Sequence, residues 1–162
     1  MKNISFISPF CDLLKNLTST SILDRASKKG IVNYNYLDLF SYSDDPHKRI
    51  DDYPYGGGEG MILQAQPIFS AYESIVGNVE NRRVIYPTPD GEKLSMKLSL
   101  DLSKENEIIF ICGHYKGIDQ RVRDKLVTDE ISIGDYILTG GELPACVITD
   151  SIVRLIPGVI NN

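Results

Sequence analysis

A chain of 162 residues, 42% hydrophobic and 24% charged, is long enough to bury one sizeable core and reads as a single domain. No low-complexity tract or repeat interrupts it, no run approaches the ~20 apolar residues of a membrane span, and the N-terminus lacks a signal-peptide core, so a cytoplasmic globular protein is expected. The net charge of −5 argues against bulk electrostatic binding of nucleic acid, and three widely spaced cysteines without a Cys-x-x-Cys pair argue against a disulfide scaffold or structural zinc.

In chain order, "NISFIS" (Asn3–Ser8) reads as a strand, and Phe10, Leu13, Leu14 and Leu17 then fall at helical spacing. "IVNYNYLDLF" alternates as a strand from Ile31, and residues 41–60 form a long polar, glycine-rich loop. "PIFSAYESIV" reads as a helix, "RRVIYPT" as a strand, "KLSMKLSLDL" as a helix and "EIIFICG" as a buried strand. "GIDQRVRDKL" fits a helix, "DEISIGDYIL" contains a strand, and Glu142 to Leu155 has helical spacing. The alternation predicts an α/β fold, a mostly parallel sheet with flanking helices, whose ligands bind beyond the carboxyl ends of the strands.

Three loops follow predicted strands: "PTPDG" (Pro87–Gly91), "GHYKG" (Gly113–Gly117) and "GDYILTGGELP" (Gly134–Pro144). None carries phosphate-loop or dinucleotide spacing, which disfavours ATP and NAD. Bare glycine backbone beside Ile133, Tyr136, Ile137 and Leu138 suits a planar, purine-like ligand. The last loop also reads as a plain strand end and helix entry, with Glu142 near the first turn. Local basic spots remain at Lys28–Lys29, Lys48–Arg49, Arg82–Arg83 and Arg121 with Arg123 and Lys125, for which solvated surface charge is the ordinary explanation.

"HKRIDDYPYGGGEGM", "ICGHYKGIDQRV", "SIGDYILTGGELPA" and "DSIVRLIPGV", in that order, resemble the bacterial tRNA (guanine-N1)-methyltransferases, the TrmD family of the SPOUT superfamily. The resemblance covers nearly the whole chain. It implies a C-terminal trefoil knot, a homodimer with active sites at the interface, and transfer of a methyl group from S-adenosylmethionine to N1 of the guanosine 3′ of the tRNA anticodon, position 37. Matched residue by residue, it implies a cofactor cradle of Tyr86, Thr88 and Pro89; Gly113, Tyr115 and Gly117; and Ser132, Ile133, Gly134, Tyr136, Leu138, Gly140, Gly141 and Pro144. Arg154, before "IPG", takes the electrostatic role opposite the charge that develops on guanine O6. The anticodon-loop guanosine, flipped from its stack, meets His47, Asp51, Asp52, Tyr55, Gly57, Gly58 and Gly60. His47 is expected as a loop hydrogen-bonder or RNA contact rather than a base, and the paired aspartates either bond their own loop or help recognise guanine.

Two departures stand out. Lys116 occupies a position where the family commonly has an acidic residue, which places a cation near the expected methionine end of the cofactor and puts magnesium dependence in question. The resemblance also sets its general-base aspartate in a linker after "IPGV", followed by a tRNA-gripping domain, whereas the sequence ends at Asn162. The expectation is therefore a SPOUT methyltransferase domain over 1–162, without the C-terminal tRNA-binding domain or a metal site of its own, and with weak transfer. The alternative is a non-catalytic cofactor-binding or RNA-binding dimer.

Overall fold

A computed structural model describes residues 1–77 and 81–160. The chain runs β1 (Lys2–Ser8), α1 (Cys11–Thr18), α2 (Ser21–Lys28), β2 (Val32–Asp38), a 3₁₀ turn (Leu39–Tyr42), β3 (Asp51–Asp52), β4 (Ile62–Leu63), α3 (Ala65–Ile75), β5 (Arg83–Lys93), α4 (Met96–Leu102), β6 (Glu107–Ile111), α5 (Gln120–Leu126), β7 (Asp129–Ser132) and α6 (Glu142–Val153). Five strands form one sheet in the order β2-β1-β6-β5-β7. Every pair in it is parallel, and β3 with β4 makes a small antiparallel ribbon.

Both faces of the sheet are covered, which is why β6 reads as a nearly continuous apolar run and β1 buries even Ser5 and Ser8. On one face Ile4, Phe6, Ile108, Phe110 and Ile85 pack against α1, α2, α4 and α6. The Phe6 ring stacks on Phe110 at 5.3 Å and on Tyr36 at 5.8 Å. On the other face Ile7, Val84, Ile109 and Ile111 meet Ile68 and Ala71 of α3 and Val122 of α5.

Local chemistry moves several element ends from where periodicity puts them. Helix α5 starts at Gln120 because Asp119 caps it, its Oδ1 accepting from the Arg121 amide at 2.9 Å. Ser95 caps α4 in the same way, accepting from the Leu98 amide at 3.2 Å, so that helix begins at Met96. Helix α2 lies in a stretch that periodicity left unassigned. "PTPDG" is no simple turn after a strand: β5 continues to Lys93, with a register shift between Pro87 and Glu92, both of which pair with Ile131. The long loop from 41 to 60 begins inside the 3₁₀ turn and contains β3.

Candidate ligand site and its walls

At the carboxyl ends of β5, β6 and β7 lies a cavity of about 520 Å³, within the range of small-molecule sites. Its first wall is Tyr86, Thr88 and Pro89, its second runs from Gly113 to Gly117, and its third runs from Ile131 to Gly140 with Pro144 of α6. Of the fourteen residues expected in the cradle, only Gly141 lies outside this lining. It sits behind the wall, its amide donating to the Gly113 carbonyl at 2.8 Å. His114, Lys116, Ile131, Ile137 and Thr139 line the cavity too. His114, Lys116, Ile137 and Thr139 fall within the glycine-bearing loops, which was the available signal, whereas Ile131 comes from β7 itself.

The first wall is held from outside. The Arg123 guanidinium lies 5.3 Å over the Tyr86 ring and makes two bonds to Glu130, at 2.8 and 2.7 Å. Thr88 donates to Asp90, and that bond holds the Asp90 carboxyl below the usual carboxylate range. Burial pushes the Tyr86 phenol above its ordinary value. In the second wall a Cβ on Gly113 would stand 2.9 Å from the Tyr86 ring, so only glycine leaves that surface open.

His114 and Glu142 tie the second and third walls together. His114 Nε2 is 2.7 Å from Glu142 Oε2, and Glu142 Oε1 accepts from Ser8 Oγ at 2.6 Å.

The segment expected on the guanosine side is stitched to the second wall. The Lys116 amide donates to the Met61 carbonyl, Leu63 to Gly117 and Asp119 to Leu63, each at 3.0 Å. Asp51 pairs with Leu63 in the ribbon and stands beside Tyr115, whose phenol is raised first by partial burial and then by that carboxylate. Gly60 touches the stem of Lys116. Asp52 accepts from the Tyr53 amide at 2.7 Å. His47 is exposed, and its amide donates to Asp45. Tyr55, 87% exposed, lies 5.8 Å beneath the Arg121 guanidinium. Gly57 and Gly58 project into open space.

Arg154 is not brought to the cavity. It caps the far end of α6, exposed and without a side-chain partner among the described residues. The helix is twelve residues long, so at ~1.5 Å per residue its ends lie roughly 18 Å apart. Among the described residues, five of the nine in the basic spots serve internal ion pairs: Lys28 with Asp24, Arg49 with Asp45, Arg83 with Asp129, Arg121 with Asp119, and Arg123 with Glu130. Among the described residues no group of three or more His, Cys, Asp or Glu is arranged to hold a metal, and the cavity lining includes the Lys116 side chain. No helix among them is long and apolar enough to cross a membrane.

These features define an α/β protein with a glycine-walled ligand cavity at the carboxyl edge of a parallel sheet. Across residues 1–162 the sequence matches the model of the family described as tRNA (Guanine-1)-methyltransferase TrmD, and the chain belongs to that family. It is 50% identical over 159 residues to the tRNA (guanine-N(1)-)-methyltransferase of Staphylococcus epidermidis, covering 98% of this chain and 64% of that protein. It is 50% identical over 154 residues to the enzyme of the same name from Lachnospira eligens, covering 94% of this chain and 65% of that protein. The chain therefore spans just under two thirds of the length of these relatives. Its fold matches the crystal structure of tRNA (m1G37) methyltransferase from Aquifex aeolicus with a TM-score of 0.91 and 39% identity, over 99% of this chain and 72% of that one.

Proposed function

We propose that the cavity binds S-adenosylmethionine and that the chain, as a homodimer, serves methyl transfer to N1 of the guanosine 3′ of the tRNA anticodon, position 37. The observation that carries this reading is the convergence of the β5 bulge and two separate glycine-bearing loops on one cavity of about 520 Å³. The residues suit the cofactor. Tyr86, Ile133, Tyr136 and Leu138 offer apolar surface to a purine, and bare backbone at Gly113, Gly117 and Gly140 allows close hydrogen bonding. Bound there, the cofactor supplies an electrophilic methyl on a sulfonium, so the protein's contribution is alignment and activation of the acceptor.

Guanine N1 carries a proton at neutral pH, and its loss leaves negative charge that a cation stabilises. Arg154 is that cation in this proposal, and because it lies ten residues beyond the lining residue Pro144, roughly 15 Å along α6 from the cavity of its own chain, a second copy supplies it. An apolar groove of about 600 Å³ between α2 and α6 supports a dimer, since Leu17, Leu143 and Val147 are 39, 48 and 47% exposed there. Asp51, beside Tyr115, offers a carboxylate to take up the N1 proton of guanine and to accept a hydrogen bond from its N2–H. The bond from Gly141 to Gly113 and the close approach of Gly141 to Cys112 support a C-terminal knot in which the third wall passes the second. Residues 1–162 are the methyltransferase domain in this reading. Among the described residues no donor set matches magnesium, and it enters no step.

Mixing two variants tests the shared site. Arg154→Ala and Tyr86→Ala are each expected to abolish transfer to a tRNA transcript. Together they are expected to restore about a quarter of wild-type activity, because one site in each mixed dimer keeps both residues. Activity that stays at background in the mixture, with both variants folded and dimeric, would count against the shared site.

A further inference from the structure

The cavity is lined by eighteen residues, and none of them is Asp or Glu; its one permanently charged side chain is the cation Lys116. A ligand bearing a sulfonium therefore meets no carboxylate at first contact. A buried one lies a layer behind. Glu142, the first residue of α6, is 3% exposed, and both oxygens are engaged, one by Ser8 at the end of β1 and the other by His114. No Lys or Arg pairs with it among the described residues.

Its other neighbours are thiols. Burial first, and the Glu142 charge next, raise Cys112 and Cys146, the latter to about 11. An isolated buried carboxylate is expensive to desolvate, and an apolar side chain at this position would be cheaper. What Glu142 adds is a fixed negative charge in a poorly screened place, one side chain from the cavity.

His114 is the connection. Its ring packs against Phe10 at 4.8 Å, and a Cβ on Gly140 would meet it at 2.3 Å, so its orientation is fixed. With Nε2–H donated to Glu142, the neutral ring keeps Nδ1 as an acceptor, and Nδ1 has no partner among the described residues. The other carboxylates nearby are less suited. Asp90 is 67% exposed and shared with Arg123, Asp51 is engaged with Tyr115, and Asp135 is exposed.

We propose that Glu142, acting through His114, is a positioning and charge-selecting residue of the cavity: it fixes the His114 tautomer and supplies the negative potential that favours a cationic ligand over its neutral counterpart. The proposal rests on the cavity being the S-adenosylmethionine site. Titration calorimetry with S-adenosylmethionine and with S-adenosylhomocysteine, the neutral thioether, separates charge from shape. Glu142→Gln keeps the volume and removes the charge. Two unit charges roughly 10 Å apart at an effective dielectric of ~20 alter an equilibrium constant by about tenfold. Loss of about tenfold in affinity for the sulfonium, with less than about threefold for the thioether, is expected.

Ser8→Ala keeps the carboxylate and removes only its anchor, so it is expected to shift both ligands by the same factor. Equal weakening of both ligands by Glu142→Gln would mark a purely structural role and overturn the proposal alone. No binding of either ligand by the unaltered chain would overturn the site reading and the proposal with it. Should Glu142→Gln fail to fold, imidazole ¹⁵N shifts of the wild type decide, since only His47 and His114 contribute. An Nδ1-protonated His114 would overturn the proposal, and an Nε2-protonated ring whose Nδ1 shift moves on adding the sulfonium supports it.

Discussion

The cavity wall and the loop from Pro54 to Gly60 both rely on glycine, for different physical reasons. At Gly141 the backbone is ordinary, with φ of −82°, yet an added Cβ would stand 2.9 Å from Cys112 Cα and from the Gly113 nitrogen. Space excludes a side chain there. At Gly57 nothing lies within 4 Å of the same position, but φ is +85°. Conformation, not space, excludes a side chain there. The wall is thus a packed object whose shape is set by tertiary contact, and the loop is an open one whose shape is set by backbone alone.

Gly141→Ala strikes the packed region and should have the largest effect. Backbone, not a flexible side chain, opposes the new methyl, so overpacking of about 3 kcal/mol is expected. For a domain of this size that lowers the melting temperature by about 10 °C. Calorimetric melting checks it, and a midpoint within two degrees of the wild type would show that the wall yields as easily as the loop.

Asp119 is the joint between the regions. Its amide bonds Leu63 of the β3–β4 ribbon, and its carboxylate caps α5 while holding Arg121 through bonds of 3.0 and 2.8 Å. Those bonds hold its carboxyl below the usual range. A depressed carboxylate contributes stability above its unfolded value of ~3.9, and that contribution fades as pH falls through the lower folded value. Asp119→Asn should therefore lose about 1 kcal/mol at neutral pH, as a weakened cap does. The gap to wild type should hold from pH 8 down to about pH 5 and narrow only below about pH 4. Urea melts across that range decide, and a gap that widens with acid would have the wrong sign.

How much of this was legible follows the same division. The parallel sheet could be read because "NISFIS" and "EIIFICG" are buried on both faces and bounded by turn chemistry. Thirteen of the residues expected in the cradle converge because they lie in or just after the adjacent strands β6, β5 and β7. Helix α2 was not legible: it is eight residues long, begins at Ser21, whose φ is 52°, and buries only Leu23 and Ala26. The ribbon of β3 and β4 has two residues per strand, too few to alternate. The bulged continuation of β5 was hidden because Pro87, Pro89 and Gly91 signal a turn, and only pairing with β7 reveals that the strand resumes. The contact from His114 to Glu142 spans 28 residues, beyond any local period.

Gly57→Ala, in the open loop, should cost about 1 kcal/mol, the penalty for a left-handed alanine. Because nothing packs on Gly57, the cavity should be untouched. Calorimetry should find S-adenosylmethionine affinity unchanged within twofold while the melting point falls by only a few degrees. A large loss of cofactor affinity would mean that the two regions are mechanically one, and that the contrast between them fails.

Lys116 is where the regions touch, and it carries the smallest effect. Its amide bonds Met61 and its stem meets Gly60, yet its side chain lines the cavity. Reversing its charge leaves the backbone bonds intact and removes a cation from the surroundings of a cationic ligand. The residue is exposed, so screening reduces the gain, and Lys116→Glu should tighten S-adenosylmethionine binding by about threefold. The neutral thioether should respond less. If Glu142 sets the potential from behind and Lys116 opposes it from the rim, the two charges act on the same sulfonium without touching each other. Their effects should then add in free energy in the double variant Lys116→Glu, Glu142→Gln. A gain from Lys116→Glu that vanishes when Glu142 is neutral would show that the rim acts by moving His114, making the wall and the loop a single responsive unit.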